Sequence, residues 1–493
     1  MPRLVVVGAG VAGLAAAGRL AQGRPDAEVL VLESADRIGG KLHRVEVGGS
    51  WIDVGAESML ARRPEGLAAA HAAGLTEQII HPLTTSALLR TRGSNRPLPA
   101  RTLMGMPTDL DATRASGVLS EADLNRIAAE PDQDPLPPMS ADVSVGDLVA
   151  ERFGPAVVAR LVDPLLGGVY AGQADAISLR AAIPALAQRL AERGGSLLEA
   201  ARTIVAQGAR EDNPAPVFAS IRGGLALLTQ AMATIGTFEV RTSSTVRAIR
   251  RDPTGFTLST GAVGRGQELH ADGVVLATPA GKTATLLADT VPSAATELRQ
   301  IETASMVIVT LAFAGAIALP EASGMLVPQT EGLDVKAMTF SSQKWPGVGG
   351  GVSSGGVTLL RASLGRAGDE RTVQRADSEL IETVRRELAT MTGVGAVPID
   401  IHVQRWGGAL PQYAVGHLDR VSRIRSAVAG VAGLGVCGAS YDGVGIPACI
   451  SSAHRAADQV LAGLVATSPA PATFLDTART DVSQRAEDNG RHG

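Results

Sequence analysis

The chain has 493 residues, 45% of them hydrophobic, which is enough to form two or three domains with large cores. The formal net charge of −4, without a basic cluster in the sequence, argues against nucleic acid as a partner. The two cysteines, Cys437 and Cys449, lie in one late segment, as expected for free thiols in a reducing compartment.

The motif that organises the chain is LVVVGAGVAGL at residues 4–14, where an apolar β-type run leads into an Ala-rich helix. Gly8 suits a tight turn, Gly10 lets the backbone approach a pyrophosphate, and Gly13 allows close packing of helix on strand. The free N–H groups and positive dipole end of the helix favour phosphate. The residues predicted to line the phosphates are Gly8, Ala9, Gly10, Val11, Ala12 and Gly13.

A second apolar run, residues 29–32, ends at Glu33, twenty residues after Gly13. A carboxylate at this position can bind ribose hydroxyls and would repel a 2′-phosphate. The next loop, residues 35–41, has two adjacent glycines with cations on either side. An NAD domain has no use for this loop, whereas an FAD domain uses it to cover the far side of the pyrophosphate. We therefore predict FAD, the alternative being a glycine-rich turn without a ligand.

Apolar spacing of three and four predicts a mostly helical middle region. Its helices are predicted over 64–73, 145–153, 155–166 and 179–198. Short strands then return the chain to the nucleotide domain, and they are predicted over 238–241, 246–250, 255–260 and 267–277, the last ending in a buried strand that begins at residue 273. The first domain is thus predicted to be discontinuous.

The segment nearest to a membrane span is 303–319, which is uncharged but of marginal length. Its centre, residues 307–313, instead predicts a β-strand. An amphipathic helix with a charged outer face is predicted over 372–391. No basic segment precedes an apolar run at the N-terminus, so we expect no signal peptide and a cytoplasmic protein. Peripheral contact with a membrane stays open.

A second glycine-rich helix start lies late in the chain, where a strand and several glycines in the run 434–450 precede a helix predicted over 450–464. The N-terminus of such a helix can stabilise negative charge at the N1–C2 edge of a flavin. Two helix starts of this kind imply one FAD held by distant segments. No His or Cys spacing in the sequence fits a metal site, so the chemistry is assigned to the cofactor.

Two features leave alternatives open. Gly167, Gly168 and Gly172 interrupt an apolar run, which fits either a wall facing a flat ligand or a helical core. Trp406, beside two glycines, fits either a residue flanking a flavin or a core tryptophan.

These segments together resemble the protoporphyrinogen and coproporphyrinogen oxidases of heme biosynthesis, up to about residue 465. The N-terminal unit and the YDGVGIP motif at 441–447 are shared with amine oxidases and phytoene desaturases, so they indicate only the superfamily. The motifs in between carry the narrower resemblance, and they are RIGGK at 37–41 and the runs 161–172, 335–345 and 405–417.

The resemblance implies an α/β fold with a Rossmann-type, two-dinucleotide FAD domain, arranged as in amine oxidases and p-hydroxybenzoate hydroxylase. The expected parts are an FAD-binding domain of 1–60, 205–280 and 425–466, a mixed α+β substrate-binding domain of 61–100 and 281–424, a mainly helical domain of 101–204, and a disordered tail of 467–493.

The resemblance also implies a six-electron oxidation of a porphyrinogen in three rounds of hydride transfer to FAD N5, with O2 as acceptor and H2O2 as product. No catalytic side chain is expected, because the flavin carries the chemistry and pyrrole nitrogens can lose protons to solvent. The lack of a clear membrane helix and the Arg-rich composition favour coproporphyrinogen III, with four propionates, over protoporphyrinogen IX, with two.

The site residues follow from the same resemblance. Beyond the glycine motif, the implied cofactor contacts are Glu33, Ser34, Lys41, Gly55, Ala56, Glu57, Ser58, Val246, Trp406, Val444, Gly445 and Ile446. The substrate candidates are Arg63, Lys336 and Lys344, whose charges could pair with propionates. Each of the three could equally be a surface charge.

Other functions compete with coproporphyrinogen oxidation. The first is protoporphyrinogen oxidation, and another is a flavin amine oxidase or carotenoid desaturase. An amine oxidase usually presents an aromatic cage, which a chain with 3% aromatic residues is poorly equipped to build. A third is a porphyrin carrier that serves a ferrochelatase without turnover. The intact flavin motifs disfavour the carrier, although transient contact with a ferrochelatase is compatible with an enzyme.

Overall fold

The computed structural model describes residues 1–208, 216–261, 266–350 and 356–467. The tail predicted for 467–493 lies outside the described residues from 468 onward. The strands are β1 (Arg3–Val7), β2 (Glu28–Leu32), β3 (Arg44–Val47), β4 (Ser50–Asp53), β5 (Met59–Leu60), β6 (Ile79–Ile80), β7 (Leu88–Thr91), β8 (Ser94–Pro97), β9 (Thr102–Leu103), β10 (Met106–Pro107), β11 (Phe218–Ile221), β12 (Glu239–Arg241), β13 (Val246–Asp252), β14 (Gly255–Thr260), β15 (Gln267–Ala271), β16 (Gly273–Leu276), β17 (Thr303–Ala314), β18 (Gly324–Leu326), β19 (Val335–Thr339), β20 (Val357–Leu364), β21 (Asp400–Pro411) and β22 (Leu434–Val436).

The helices are α1 (Val11–Gly23), α2 (Pro64–Ala72), α3 (Leu110–Ser116), α4 (Glu121–Ala128), α5 (Val145–Phe153), α6 (Pro155–Val157), α7 (Asp163–Tyr170), α8 (Leu179–Ala182), α9 (Pro184–Arg193), α10 (Leu197–Gly208), α11 (Ala226–Ile235), α12 (Ala280–Leu286), α13 (Pro292–Arg299), α14 (Ser341–Lys344), α15 (Asp377–Thr392), α16 (His417–Ala429) and α17 (Ile446–Thr467).

A parallel sheet in the order β12-β2-β1-β16-β22 forms the centre of the nucleotide-binding unit. Apart from the edge strand β12, its strands are short and mostly apolar because helices cover both faces. Helices α1 and α17 lie side by side on one face, so close that a Cβ on Gly23 would stand 2.4 Å from Leu461 Cδ1. Strands from all three segments assigned to the FAD-binding domain thus pair in one sheet.

The other face of this sheet is covered by α12, α13 and α16. Leu298 and Ile424 share a buried cluster with Val5 and Val274 of the sheet. We therefore propose that the nucleotide-binding unit extends beyond the predicted boundaries, to include 281–301 and the start of α16.

A second sheet of seven strands has the order β21-β17-β20-β19-β18-β7-β8. The apolar segment near 303–319 forms β17, which is long and buried because it pairs with β21 on one side and β20 on the other. The prediction of a strand here is confirmed. Among the described residues, no helix is both long and apolar enough to cross a membrane.

The helical region differs in detail from the prediction. The helix predicted over 179–198 is three helices, α8, α9 and α10. Pro184 lacks the N–H that a continuous helix needs, and Gly194 and Gly195 adopt positive φ of 58° and 93°. The helix predicted over 155–166 contains a π-helical turn at Val158–Val162 between α6 and α7.

Candidate functional site

The glycine turn after β1 has the geometry on which its predicted roles depend. Gly8 has a φ of +106°, and a Cβ there would lie 2.9 Å from the Ala277 carbonyl oxygen. A Cβ on Gly13 would stand 1.8 Å from the Gly8 carbonyl oxygen, so only glycine lets α1 approach the strand this closely. A Cβ on Gly10 would meet no protein atom within 4 Å, which leaves open space above the start of α1.

Glu33 lies beside this turn, at the end of β2. Its Oε2 accepts a hydrogen bond from the Ala9 N–H at 2.7 Å, and its Oε1 accepts from Ala35 N–H at 2.9 Å and Ser34 Oγ at 3.2 Å. The glycine-rich loop then folds back over the same turn, since Gly39 N–H donates to the Ala9 carbonyl at 2.8 Å. The carboxylate is therefore held at the edge of the space above α1.

Val246 begins β13 at the same end of the sheet. The loop before it runs along Glu33, because Ser244 N–H donates to the Glu33 carbonyl at 2.7 Å. The Val246 side chain is partly buried against the core on that face of the sheet. The contact of Val246 with an adenine stays a prediction.

The turn after β4 and the side chain of Trp406 form the next part of the site. A Cβ on Gly55 would lie 1.9 Å from the Lys41 carbonyl oxygen and 3.2 Å from the Trp406 ring. Trp406 Nε1 donates to the Val54 carbonyl at 2.8 Å. Trp406 is partly buried, and its hydrogen bond holds the turn that is predicted to contact the cofactor. The four residues of this turn are Gly55, Ala56, Glu57 and Ser58.

The second helix start lies against the first. The Tyr413 hydroxyl accepts from Gly443 N–H at 2.7 Å and donates to the Ala439 carbonyl at 2.6 Å, which fixes the loop before α17. Cys449, in the first turns of α17, interacts electrostatically with Lys41, whose pKa is lowered by burial. The loop after β2 and the start of α17 therefore lie close together. The cofactor contacts predicted for the loop before α17 are Val444, Gly445 and Ile446.

Acid should loosen this loop. The His417 ring stacks on Tyr413 with ring centroids 4.0 Å apart, and burial lowers the pKa of His417 to about 4. Because an unfolded histidine titrates near 6.5, the stability contributed by neutral His417 is complete above that pH and is lost towards pH 4, by at most about 3 kcal/mol. We expect FAD release, followed by flavin fluorescence, to begin at lower pH in His417→Phe than in the parent.

The exposed His71 provides the matched control, since His71→Asn should leave the acid midpoint unchanged. An identical midpoint in His417→Phe and the parent would contradict this assignment.

A buried charge cluster joins the turn to the second sheet. Glu57 Oε1 accepts from Lys344 Nζ at 2.6 Å and its Oε2 from Arg361 Nη1 at 2.7 Å, while Arg361 Nη2 donates to the Gly55 carbonyl at 2.9 Å. Burial acts to raise the pKa of Glu57, but the two cations outweigh it and lower that pKa to about 2. Arg361 escaped the prediction, although a charge inside the apolar run TLLRASL was a signal.

The three substrate candidates are placed very differently. Lys344 is held by Glu57, and Arg63 forms a surface ion pair with Glu65 at 2.5 Å, its side chain 43% exposed. Lys336 is 6% exposed, and within the described part of the chain its Nζ has no hydrogen-bond partner. Of the three candidates, Lys336 is thus the one without a carboxylate or hydrogen-bond partner among the described residues.

The glycines near the end of α7 were predicted to form either a wall facing a flat ligand or a helical core, and they differ in their surroundings. A Cβ on Gly172 would lie 2.2 Å from Gln412 Oε1, so Gly172 serves close packing. Gly168 is exposed, and a Cβ there would come no nearer than 3.8 Å to the Leu326 side chain of β18. A Cβ on Gly168 would thus make only ordinary van der Waals contact, so close packing does not require glycine there.

The residues present fit FAD. A Cβ on Gly10 would meet no protein atom within 4 Å, the Glu33 carboxylate lies beside this turn, and α1 packs side by side with α17. Across residues 1–208, 216–261, 266–350 and 356–467, no group of three or more His, Cys, Asp or Glu side chains could hold a metal ion.

Comparisons with known proteins agree with this geometry. Residues 11–461 match the family of flavin-containing amine oxidoreductases. A coproporphyrinogen III oxidase of Mycobacterium tuberculosis (strain ATCC 25618 / H37Rv) is 38% identical over 460 residues, covering 93% of this chain and 97% of that protein. A coproporphyrinogen III oxidase of Bacillus subtilis (strain 168) is 28% identical over 472 residues, with coverage of 93% and 97%.

Solved structures show the same architecture. A chain from Exiguobacterium sp. 255-15, provisionally described as a protoporphyrinogen oxidase, superposes with a TM-score of 0.83 at 32% identity, covering 94% of this chain and 99% of that one. A putrescine oxidase variant at 14% identity has a TM-score of 0.65, with coverage of 95% and 99%, and shows the fold alone. The chain belongs to the flavin-containing amine oxidoreductase family, and its cofactor is FAD.

Proposed function

We propose that this chain oxidises coproporphyrinogen III to coproporphyrin III in heme biosynthesis. The observation that carries the proposal is the convergence of two glycine-rich helix starts from opposite ends of the chain, where α1 and α17 pack side by side. The relatives named coproporphyrinogen III oxidase support the same substrate, since they match almost the whole chain.

The reaction removes six hydrogens, so one coproporphyrinogen III and three O2 give one coproporphyrin III and three H2O2. FAD, when bound, supplies the atom that accepts each hydride. The side chains of this protein bind the substrate and the cofactor, orient them, and exclude water from the site. Glu57 is fully engaged by Lys344 and Arg361, so it is unsuited to act as a base. The pyrrole N–H protons are released to solvent as conjugation develops.

The proposed cofactor contacts follow the fold from one end of FAD to the other. Val246 and Glu33 serve the adenosine end, and the open side of Gly10 accepts the pyrophosphate. The ring end is assigned to Trp406 and to residues 55–58, with 444–446 at the start of α17 beside the N1–C2 edge. Lys41 lies between these regions.

Anaerobic mixing tests the proposal. FAD-loaded enzyme should lose its visible flavin absorbance rapidly with coproporphyrinogen III, more slowly with protoporphyrinogen IX, and not with an amine such as putrescine. Admission of air should restore the absorbance and give porphyrin fluorescence. Bleaching only by the amine would identify an amine oxidase, and no bleaching with tight porphyrin binding would identify a carrier.

We also propose that the enzyme works in the cytoplasm, uses O2 as its acceptor and passes its product to a ferrochelatase. Four carboxylates keep the substrate in water, which supports an aqueous location. Consumption of three O2 per porphyrin, with half returned by catalase, would support the acceptor. Turnover that requires a quinone and leaves O2 untouched would contradict it.

A further inference from the structure

Lys336 is unusual among the charged residues of this chain. It lies on β19, its side chain is 6% exposed, and its Nζ has no hydrogen-bond partner within the described residues. A buried ammonium without a partner costs several kcal/mol in typical proteins, so the group either gives up its proton or pairs with an opposite charge. An anionic group of a ligand would supply that opposite charge.

A second cation stands beside it. Arg366, in the loop after β20, donates from Nη2 to the Val327 carbonyl at 3.2 Å, and the N–H of the same Val327 donates to the Lys336 carbonyl at 2.9 Å. The two cations interact electrostatically with each other. Within the described part of the chain, Arg366 has no carboxylate within 4.0 Å, so its remaining donors are also uncommitted to an ion pair.

The two cations lie next to the end of α7, which has an exposed glycine. Ala367 N–H donates to the Ala171 carbonyl at 2.7 Å, which ties the Arg366 loop to the residue that follows α7. Gly168 on this helix is exposed and has no side chain to separate it from Leu326 of β18. Leu326 pairs with Ala337, the residue after Lys336, so a ligand that reached the exposed Gly168 would be close to the two cations.

We propose that Lys336 and Arg366 together form a carboxylate-binding site that anchors one propionate of the tetrapyrrole. The identity of the ligand depends on the function proposed above, whereas the carboxylate chemistry depends on the two cations. An ammonium and a guanidinium around one carboxylate give charge-assisted hydrogen bonds, which are the strong ones in proteins. The site would therefore favour substrates that carry propionates over neutral tetrapyrroles.

The surroundings make this site sensitive to pH. Burial, with Arg366 nearby, lowers the pKa of Lys336 to about 7. Asp163 of α7 interacts with Arg366 but is held by Ala174 N–H at 2.8 Å, and the other acids that act on Arg366 are Asp369, Asp334 and Glu387. A bound carboxylate needs the charged ammonium, so its affinity should fall as pH rises through 7.

The test is titration of FAD-loaded enzyme with coproporphyrin III and with its tetramethyl ester, in the same detergent, by the shift of the porphyrin absorbance. Lys336→Met should weaken binding of the acid roughly tenfold or more and leave the ester unchanged. Lys336→Arg should retain the preference for the acid and lose the decline in affinity between pH 6 and pH 8. In turnover, Lys336→Met should raise KM and leave kcat nearly unchanged.

The exposed Lys282 provides a control, because Lys282→Met removes one positive charge away from the site. Lys336→Met should fold at least as well as the parent, since it removes an uncompensated buried charge. If Lys336→Met fails to bind FAD, the pH dependence of the Lys336→Arg titration alone decides whether Lys336 binds the carboxylate. Equal preference for acid over ester in parent and Lys336→Met would overturn the site. A parent enzyme that coproporphyrinogen III does not bleach would instead overturn the proposed function.

Discussion

Replacement of Glu57 by Gln should destabilise the protein by roughly 3–5 kcal/mol, one of the two largest effects that we expect. The carboxylate is the shared partner of Lys344 and Arg361, and their side chains are 19% and 10% exposed. An amide of the same shape neutralises neither cation, so both remain charged in a region poor in water. Urea unfolding at pH 7 measures the loss of stability. Release of FAD should accompany it, because Arg361 donates a hydrogen bond to the Gly55 carbonyl.

A matched comparison separates burial from charge. Glu65→Gln also breaks an ion pair, but its partner Arg63 is 43% exposed, so the loss should be below about 1 kcal/mol. Combining Glu57→Gln with Lys344→Met should recover part of the stability, since one of the two stranded cations is removed. Equal effects of Glu57→Gln and Glu65→Gln would show that the cluster is not effectively buried.

This cluster also explains how the turn after the β3–β4 hairpin is joined to the seven-stranded sheet. Glu57 lies after the β3–β4 hairpin, Lys344 ends α14, and Arg361 lies on β20 of the seven-stranded sheet. The turn that is predicted to contact the flavin is thus anchored to the sheet that carries Lys336. A change in the distance between this turn and the seven-stranded sheet would therefore displace Gly55 relative to Trp406.

The sequence predicts well what short-range patterns determine. The βαβ unit at the N-terminus is local, because turn, helix start and acid all fall within 33 residues of the chain, and each glycine has a steric reason. The strand β17 is similarly predictable, because a central strand buried on both faces must be apolar throughout. The discontinuity of the nucleotide-binding unit follows from the return of buried strands at β16 and β22.

Long-range pairing is what the sequence could not supply. Lys344 and Glu57 are 287 positions apart, so the basic residue looked equally suited to a substrate. Strand β21 was not predicted, because two glycines follow Trp406 and glycine weakens β propensity; pairing with β17 overrides that preference. The lack of a hydrogen-bond partner for Lys336 among the described residues is likewise invisible in the sequence, since it depends on which strands and helices surround one side chain.

Gly10→Val and Gly13→Val, two changes of the same kind three positions apart, should have opposite consequences. Gly10 has a φ of −74° and open space where its Cβ would stand, so valine there should leave the fold intact. Its methyl groups would occupy the space assigned to the pyrophosphate. We expect FAD affinity to fall roughly a hundredfold or more, the effect of about 3 kcal/mol of steric conflict. Flavin content after reconstitution and the thermal midpoint of the apoprotein measure the two properties separately.

Gly13→Val should instead prevent the first unit from folding, because its Cβ would stand 1.8 Å from the Gly8 carbonyl oxygen, in contact with backbone that cannot move aside. Gly18→Ala, on the same helix with nothing within 4 Å of its Cβ, should keep FAD and gain up to about 1 kcal/mol of stability from helix propensity. If Gly10→Val binds FAD as the parent does, the pyrophosphate does not lie above this helix, and the assignment of the cofactor site to the N-terminal glycines is wrong.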